Sequence, residues 1–172
     1  MTFSRVWNRS MMKRVDKMSR FLFGLLLLGV AIFTGLFFYR TNLKPAESLT
    51  IATFGGVSLS IEFATTTTAR ERGLSGRSGL RDDYGMLFIF EKADRYGFWM
   101  KDMLVPIDIF WLDDKGQVIF ITPDVVVSTY PNVFYPPAPV RYVLETKSGF
   151  AREHRIATGA LLMLPTFPTV LQ

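Results

Sequence analysis

The amino-acid sequence predicts a mainly β domain, a compact sandwich-like or barrel-like fold with two short helices, preceded by one transmembrane helix. Three features predict it: an uncharged apolar block at residues 21–39, short β-rich runs separated by glycine and aspartate turns, and only two stretches with helix signals. With 172 residues, the chain has room for one ordinary domain and an anchoring segment.

The apolar block at residues 21–39 is 19 residues long and carries no charge. At about 1.5 Å per residue, a helix of this length crosses the ~30 Å hydrocarbon core of a bilayer. The alternative is a cleaved signal peptide, whose apolar region is usually only ~7–15 residues and ends at a small-residue site. No Ala-x-Ala site follows here, so we expect an uncleaved anchor.

The net charge of +5 belongs entirely to residues 1–20, which hold six basic groups and one acid. Residues 21–172 hold 14 basic and 14 acidic groups, a balance of zero. Basic residues before a span predict an N-terminus inside the cytoplasmic (inner) membrane and a C-terminal domain outside, periplasmic or extracellular. Without a basic excess, the domain is not expected to bind nucleic acid. The absence of cysteine excludes disulfides and thiolate metal sites.

These patterns divide the chain into four segments. Residues 1–20 are the basic cytoplasmic N-terminus and residues 21–39 are the transmembrane anchor. Residues 40–48 form a short polar linker, and residues 49–172 form the extracytoplasmic mainly β domain.

Eight short runs in the domain read as strands. Gly55-Gly56 joins the first two as a two-residue hairpin turn, and Gly116 suits a bulged turn after Asp113. The run Met86–Phe90 is apolar on both faces, which predicts a central strand covered on both sides. The runs are Leu49–Phe54, Val57–Phe63, Met86–Phe90, Gly97–Lys101, Ile107–Leu112, Gln117–Ile121, Arg141–Thr146 and Ala160–Leu164.

Two short helices interrupt the strands. Thr68 and Glu71 have the spacing of a capping box, and glycines end this helix after a turn or two. The second helix is predicted over Phe150–Arg155. The connection from Thr122 to Val140 is long for a compact domain, which is typical of functional loops or lids.

Five motifs follow one another in the domain: Arg70-Glu71-Arg72-Gly73-Leu74, Gly85-Met86-Leu87-Phe88-Ile89-Phe90, Phe98-Trp99-Met100-Lys101-Asp102, Pro106-Ile107-Asp108-Ile109, and Tyr142-Val143-Leu144-Glu145 with Gly149. In this order they resemble domain-of-unknown-function family 192, over roughly Val57 to Leu164. The resemblance implies a compact, mainly β, sandwich-like domain, often membrane-anchored or exported. It brings no established activity.

The chain departs from the family pattern at three places. Ser75 stands where the family commonly has Met, and Asp102 where it commonly has Asn. Gly159-Ala160 replaces the usual Gly-Asp. If any of these side chains does chemistry in relatives, we expect it to be altered here.

Trp99 and Lys101 are the first candidate ligand-binding residues, with Asp102 next to them. On a strand they share one face, where Trp99 offers a flat apolar surface and Lys101 a cation. The alternative is that Trp99 covers the edge of the core while Lys101 is a solvated or paired charge.

Two acids are catalytic candidates. Asp108 shares a strand face with Phe110 and Leu112, so its carboxylate must be paired or hydrogen-bonded. It is either a general base or ligand contact, or a structural acceptor. Glu145 lies on the face of Val143, and the two acids would act together only as the carboxylate pair of a hydrolase.

Arg72 and Tyr135 complete the candidate ligand-binding residues. Arg72 lies with Arg70 on the first short helix and offers a cation to an acidic ligand, or pairs locally. Tyr135 belongs to the proline-rich aromatic loop Tyr130–Pro139, which either lines a groove or covers a sheet edge.

No metal site and no cofactor are predicted. His154 is the only histidine, and the chain has no cysteine to join it. Asp113, Asp114 and Asp124 lack the spacing of a calcium loop.

The predicted function is a membrane-tethered, extracytoplasmic binding or accessory domain, not an enzyme. It would recognise a small ligand, a glycan or an envelope protein around Trp99, Lys101 and Asp108. One alternative is an envelope-acting hydrolase that uses Asp108 and Glu145. The other is that these motifs specify only the fold and that function lies in contacts with a protein partner.

Overall fold

A computed structural model of the protein describes residues 9–41 and 49–166. The chain divides into two compact units, Met1–Glu47 and Ser48–Gln172. The expected linker and the extreme N-terminus lie largely outside the described residues.

The first unit contains one long helix, α1, Arg9–Thr41. Within it, Leu22–Tyr39 has a mean hydropathy of 2.3 and is long and apolar enough to cross a membrane. Its side chains are unburied, unlike those of a core helix in a soluble protein. The Thr34 hydroxyl donates to the carbonyl oxygens of Val30 and Ala31 at 2.9 and 3.0 Å, so this polar group is satisfied inside the helix.

The second unit is mainly β, as predicted, and is built on one seven-stranded sheet that curls into a half-barrel. The spatial order of its strands is β6-β5-β8-β3-β2-β1-β9, and β2 and β3 form its one parallel pair among the described residues. Its strands are β1 Thr50–Phe54, β2 Val57–Ala64, β3 Tyr84–Asp94, β5 Ile107–Leu112, β6 Val118–Val125, β8 Val140–Lys147 and β9 Leu162–Met163.

Shorter elements surround this sheet. Strands β4 (Phe98–Trp99) and β7 (Val133–Phe134) pair as a separate ribbon. Helix α2 (Thr67–Arg72) lies in the connection between β2 and β3, and α3 (Phe150–Glu153) follows β8. A single 3-10 turn occupies Val127–Thr129.

The central strands of the sheet are buried on both faces. Leu87 and Ile89 of β3 belong to one core cluster, with Phe54, Phe110 and Phe150. The alternate residues of the same strand, such as Met86 and Phe88, belong to a second cluster with Phe98 and Trp111. The prediction of a central strand at Met86–Phe90 is therefore confirmed, because side chains alternate between two apolar layers.

The predicted hairpin between the first two strands is also confirmed. β1 and β2 pair antiparallel, and Gly55 and Gly56 have φ values of 56° and 89°. A two-residue turn with both φ angles positive matches the twist of the flanking strands.

Several boundaries differ from the sequence prediction. Helix α2 is capped by Thr66, whose hydroxyl accepts from the Ala69 N–H at 3.2 Å, and not by Thr68. The strand predicted over Gly97–Lys101 is reduced to two residues because the chain turns sharply at Asp102, where φ is 55°. The long connection after Thr122 contains the end of β6, the 3-10 turn and β7.

Asp108 fastens α3 to the sheet. Its carboxylate is 0% exposed and accepts from the backbone N–H groups of Asp124 at 2.8 Å, Gly149 at 3.2 Å and Ala151 at 2.8 Å. The last two groups lie at the start of α3, which has no side-chain cap of its own. Asp108 therefore supplies this cap from a neighbouring strand, and its cost of burial is offset by three hydrogen bonds.

We expect Asp108→Asn to lower the free energy of unfolding by about 2–3 kcal/mol. The amide keeps one acceptor but turns a donor toward a buried N–H group. The melting temperature of the full chain in detergent micelles should fall by roughly 5–10 °C.

Asp113→Asn is the matched control, because Asp113 accepts two backbone N–H groups in an exposed turn. Asp113→Asn should lower the free energy of unfolding by less than half as much as Asp108→Asn. Equal melting temperatures for Asp108→Asn and the wild type would show that Asp108 does not hold α3.

Candidate functional site

A cleft of about 510 Å³ opens on the side of the sheet that carries the second core cluster. Helix α2 and the turn after it form one side, and the segment from Tyr96 to Met103 forms the other. The cleft is lined by Thr67, Arg70, Glu71, Arg72, Gly73, Leu74, Ser75, Phe88, Phe90, Tyr96, Gly97, Phe98, Trp99, Lys101, Met103 and Glu145.

Aromatic rings make up much of the wall. Phe90 and Tyr96 stack with centroids 3.5 Å apart, and Phe88 and Phe98 meet edge to face at 4.8 Å. Trp99 is 51% exposed, and the Lys101 ammonium lies 5.8 Å from its ring centroid. Lys101 lies in the turn after β4 and not on a strand, and both side chains line the cleft.

Arg70 fixes α2 against the sheet. Its guanidinium donates to the carbonyl oxygens of Thr65 at 2.7 Å and Ile89 at 3.0 Å, and lies 5.4 Å from the Phe90 ring centroid. The Arg70 guanidinium is therefore engaged in structural contacts, and these contacts hold one wall of the cleft in place.

Arg72 and Lys101 are different, because both are exposed and line the cleft. Within the described part of the chain, no carboxylate forms a salt bridge with either. Together with Arg70 they give the cleft three cations, against the acids Glu71 and Glu145. The cleft therefore carries a positive excess that favours an anionic ligand.

Two backbone-directed hydrogen bonds join the sides of the cleft. The Ser75 hydroxyl donates to the Lys101 carbonyl oxygen at 2.9 Å, and the Gly76 N–H donates to the Asp102 carbonyl oxygen at 2.8 Å. Asp102 has φ 55°, a left-handed conformation that Asn and Asp adopt more readily than other side chains. Asp102 stands where the family commonly has Asn, and both residues suit this backbone conformation.

Glu145 lies within the sheet below the cleft. It pairs in register with Met86 of β3 and Ile109 of β5, and it is only 5% exposed. Burial raises the pKa of its carboxyl group to about 8, and the nearby Arg77 lowers it only in part. At neutral pH this side chain is mainly a neutral acid, able to donate as well as accept a hydrogen bond.

Arg77 is already engaged elsewhere. Its guanidinium donates to both carboxylate oxygens of Glu62 at 2.9 and 2.8 Å and to the Tyr84 hydroxyl at 2.9 Å. The Tyr84 hydroxyl in turn donates to Glu62. No sequence signal pointed to this network, because its members are brought together only by the pairing of β2 with β3 and by the loop before β3.

The structure does not bring Asp108 and Glu145 together. Ile109 is the register partner of Glu145, so these two share a face, whereas Asp108 precedes Ile109 and points to the opposite face with Phe110. A carboxylate pair that cleaves one glycosidic bond must flank it from the same cavity. These two acids are separated by the sheet itself.

The other candidate residues lie outside the cleft lining. Tyr135 packs on Gly97, where an added Cβ atom would lie 2.8 Å from the tyrosine ring and 2.7 Å from Val133. His154 packs against Phe150 at 4.4 Å. Asp124 accepts from Ser148 and Arg152, which lower its pKa in that order of effect. Among the described residues, no three potential metal ligands cluster.

Glu145→Gln should stabilise the protein increasingly as pH rises. In the unfolded chain the carboxyl ionises near 4.5, whereas in the folded chain it keeps its proton until about 8. Between these values the folded state binds more protons, so wild-type stability falls as pH increases.

We expect the free energy of unfolding of Glu145→Gln, relative to that of the wild type, to rise by roughly 2–4 kcal/mol from pH 5 to pH 8.5. Thermal unfolding of both proteins across this range measures the gain. Glu71→Gln, at an exposed acid of the same cleft, is the control. If the difference in free energy of unfolding between Glu145→Gln and the wild type were the same at every pH, Glu145 would not be a buried neutral acid.

Comparison with solved structures finds related folds. One is a Sinorhizobium meliloti protein provisionally described as a transcription regulator, with 25% identity and a TM-score of 0.66 over 70% of this chain and 97% of that one. Another is a Novosphingobium aromaticivorans protein of unknown function, with 26% identity and a TM-score of 0.62 over 69% of this chain and 89% of that one. A comparison with curated protein sequences finds no match.

A family model matches residues 49–164, which is most of the chain and nearly all of the β unit. The family is DUF192, described as Uncharacterized ACR. The resemblance seen in the five sequence motifs is thereby confirmed. This chain belongs to the DUF192 family.

Proposed function

We propose that this protein is a binding module tethered to the cytoplasmic membrane, and that its cleft takes a small organic anion with an apolar body. The observation that carries the proposal is the combination, in one cleft, of an aromatic wall with two cations that have no carboxylate partner among the described residues.

The size and chemistry of the cleft support a small ligand. Its volume of about 510 Å³ lies in the range of small-molecule sites, roughly 300–1,000 Å³. The half-exposed Trp99 offers a flat face on which a ring or an acyl chain can stack. Leu74 and Met103 extend the apolar lining below it.

The charge pattern supports an acidic group on the ligand. Arg72 and Lys101 come from opposite sides of the cleft, one from α2 and one from the turn after β4. An acid placed between them would gain charge-assisted hydrogen bonds from both. No rearrangement of α2 is needed, because Arg70 and not Arg72 holds that helix to the sheet.

The membrane tether rests on α1 and the charges before it. Leu22–Tyr39 is a candidate span, and six of the first 20 residues are basic against one acid. We infer an N-terminus inside and the β unit outside. The net charge of zero over residues 21–172 favours a ligand other than nucleic acid, in contrast to the description given to the Sinorhizobium protein.

Phenylpropionate should bind the full chain in detergent micelles, and the neutral phenylpropionamide should bind on the order of tenfold more weakly. The preference should disappear in Arg72→Ala/Lys101→Ala, because the amide replaces the negatively charged carboxylate by a neutral group at the point these cations would hold. Isothermal titration and ligand-dependent melting measure both effects.

Lys92→Ala/Lys115→Ala is the control, because it removes two exposed charges that do not line the cleft. It should bind like the wild type. If neither phenylpropionate nor other aromatic and aliphatic acids bind the wild type, the proposed anion-binding function is wrong.

Single-cysteine labelling should place the two ends of the chain on opposite sides of the membrane. The chain has no cysteine of its own, so Ser10→Cys and Thr158→Cys each provide one reporter. In intact spheroplasts an impermeant maleimide should label Thr158→Cys and spare Ser10→Cys. After lysis both should react. Labelling of Ser10→Cys from outside would contradict the topology.

A further inference from the structure

Glu145 is a buried acid without a partner. Its side chain is 5% exposed, yet within the described residues no hydrogen bond or salt bridge reaches its carboxyl group. Among the described residues, the one fully buried side-chain polar atom without a partner is Arg141 Nε, so the Glu145 oxygens keep some access to the cleft. Because Glu145 lines the cleft, the missing partner can come from a ligand.

A purely structural role for this acid finds little support in its surroundings. The cation that lowers its pKa is Arg77, whose guanidinium is occupied by Glu62 and the Tyr84 hydroxyl. Asp108 is an example of a structural acid in this sheet, because its carboxylate accepts from three backbone N–H groups. It lies on the adjacent strand, one position from the partner of Glu145, and on the other face of the sheet. Glu145 has no such set.

We propose that Glu145 is a ligand-contacting residue whose carboxyl group hydrogen-bonds a hydroxyl group at the inner end of the ligand. The acidic end of the same ligand lies between Arg72 and Lys101. The inference rests on the proposed function and narrows it to organic acids that carry a hydroxyl group at the end opposite the acid.

The charge state of Glu145 fits this role. Burial raises its pKa to about 8, so the carboxyl is mainly neutral at pH 7 and does not repel an anion. The titratable groups around it fall into two sets. Glu62, Arg77 and Tyr84 are bonded to one another, and the cleft is lined by Arg70, Glu71, Arg72, Tyr96 and Lys101.

The test compares para-hydroxyphenylpropionate with phenylpropionate on the full chain in detergent micelles. The two acids differ only in the hydroxyl group. We expect the hydroxylated acid to bind about fivefold more tightly to the wild type at pH 7, which is the usual effect of one hydrogen bond. Glu145→Leu should lose this preference and still bind phenylpropionate.

The pH dependence provides a second measurement. Above its pKa of about 8, Glu145 gains a negative charge that should repel the anionic ligand, so the wild type should bind it up to about tenfold more weakly at pH 9 than at pH 7. Glu145→Gln keeps the shape and stays neutral, so it should remove most of this decline. If Glu145→Leu fails to fold, this comparison stands alone.

The outcomes separate the two proposals. Equal binding of both acids to the wild type, or affinity that rises from pH 7 to pH 9, would overturn the role of Glu145 and leave the anion-binding cleft intact. If neither acid binds at any pH, both proposals fail together. Preference for the hydroxylated acid that persists in Glu145→Leu would place the hydroxyl contact elsewhere.

Discussion

Burial of the central strands on both faces is the constraint on which the rest of this domain depends. β3, β5 and β8 lie between two apolar layers, so any polar side chain on them must find a partner within the fold or lie at a cavity. Asp108 and Glu145 meet this demand in opposite ways. The first gathers three backbone N–H groups and thereby fixes α3, whereas the second faces a cleft with its carboxyl group unpaired.

The same constraint argues against a hydrolase that pairs these two acids. A hydrolase that uses these two acids would need both at one cavity, but register places them on opposite faces of a continuous sheet. Asp108 is also fully occupied by backbone donors, and losing them for catalysis would release α3. The binding hypothesis requires no such change, because Trp99, Lys101, Arg72 and Glu145 already line one cleft.

Local patterns predicted much of the fold. The paired glycines at 55 and 56 required a tight hairpin, and the apolar run Met86–Phe90 required cover on both faces. Less could be predicted where partners are distant in sequence. Asp108 bonds to residues 41 and 43 positions away, and Glu145 meets the cleft only through the pairing of β8 with β3. Even the start of α2 was ambiguous, because four consecutive threonines offer equivalent caps.

Two of the three departures from the family pattern, Ser75 and Asp102, adjoin the cleft, whereas Ala160 packs against the first core cluster. Ser75 donates a hydrogen bond to the Lys101 carbonyl that a methionine side chain lacks the group to make. Asp102 keeps the left-handed turn directly after Lys101. Only the change at position 75 alters a contact to the Lys101 backbone, because Asp and Asn both suit the left-handed conformation at position 102. In the proposed binding mode, Ser75 therefore acts at the Lys101 end of the cleft and leaves the aromatic wall unchanged.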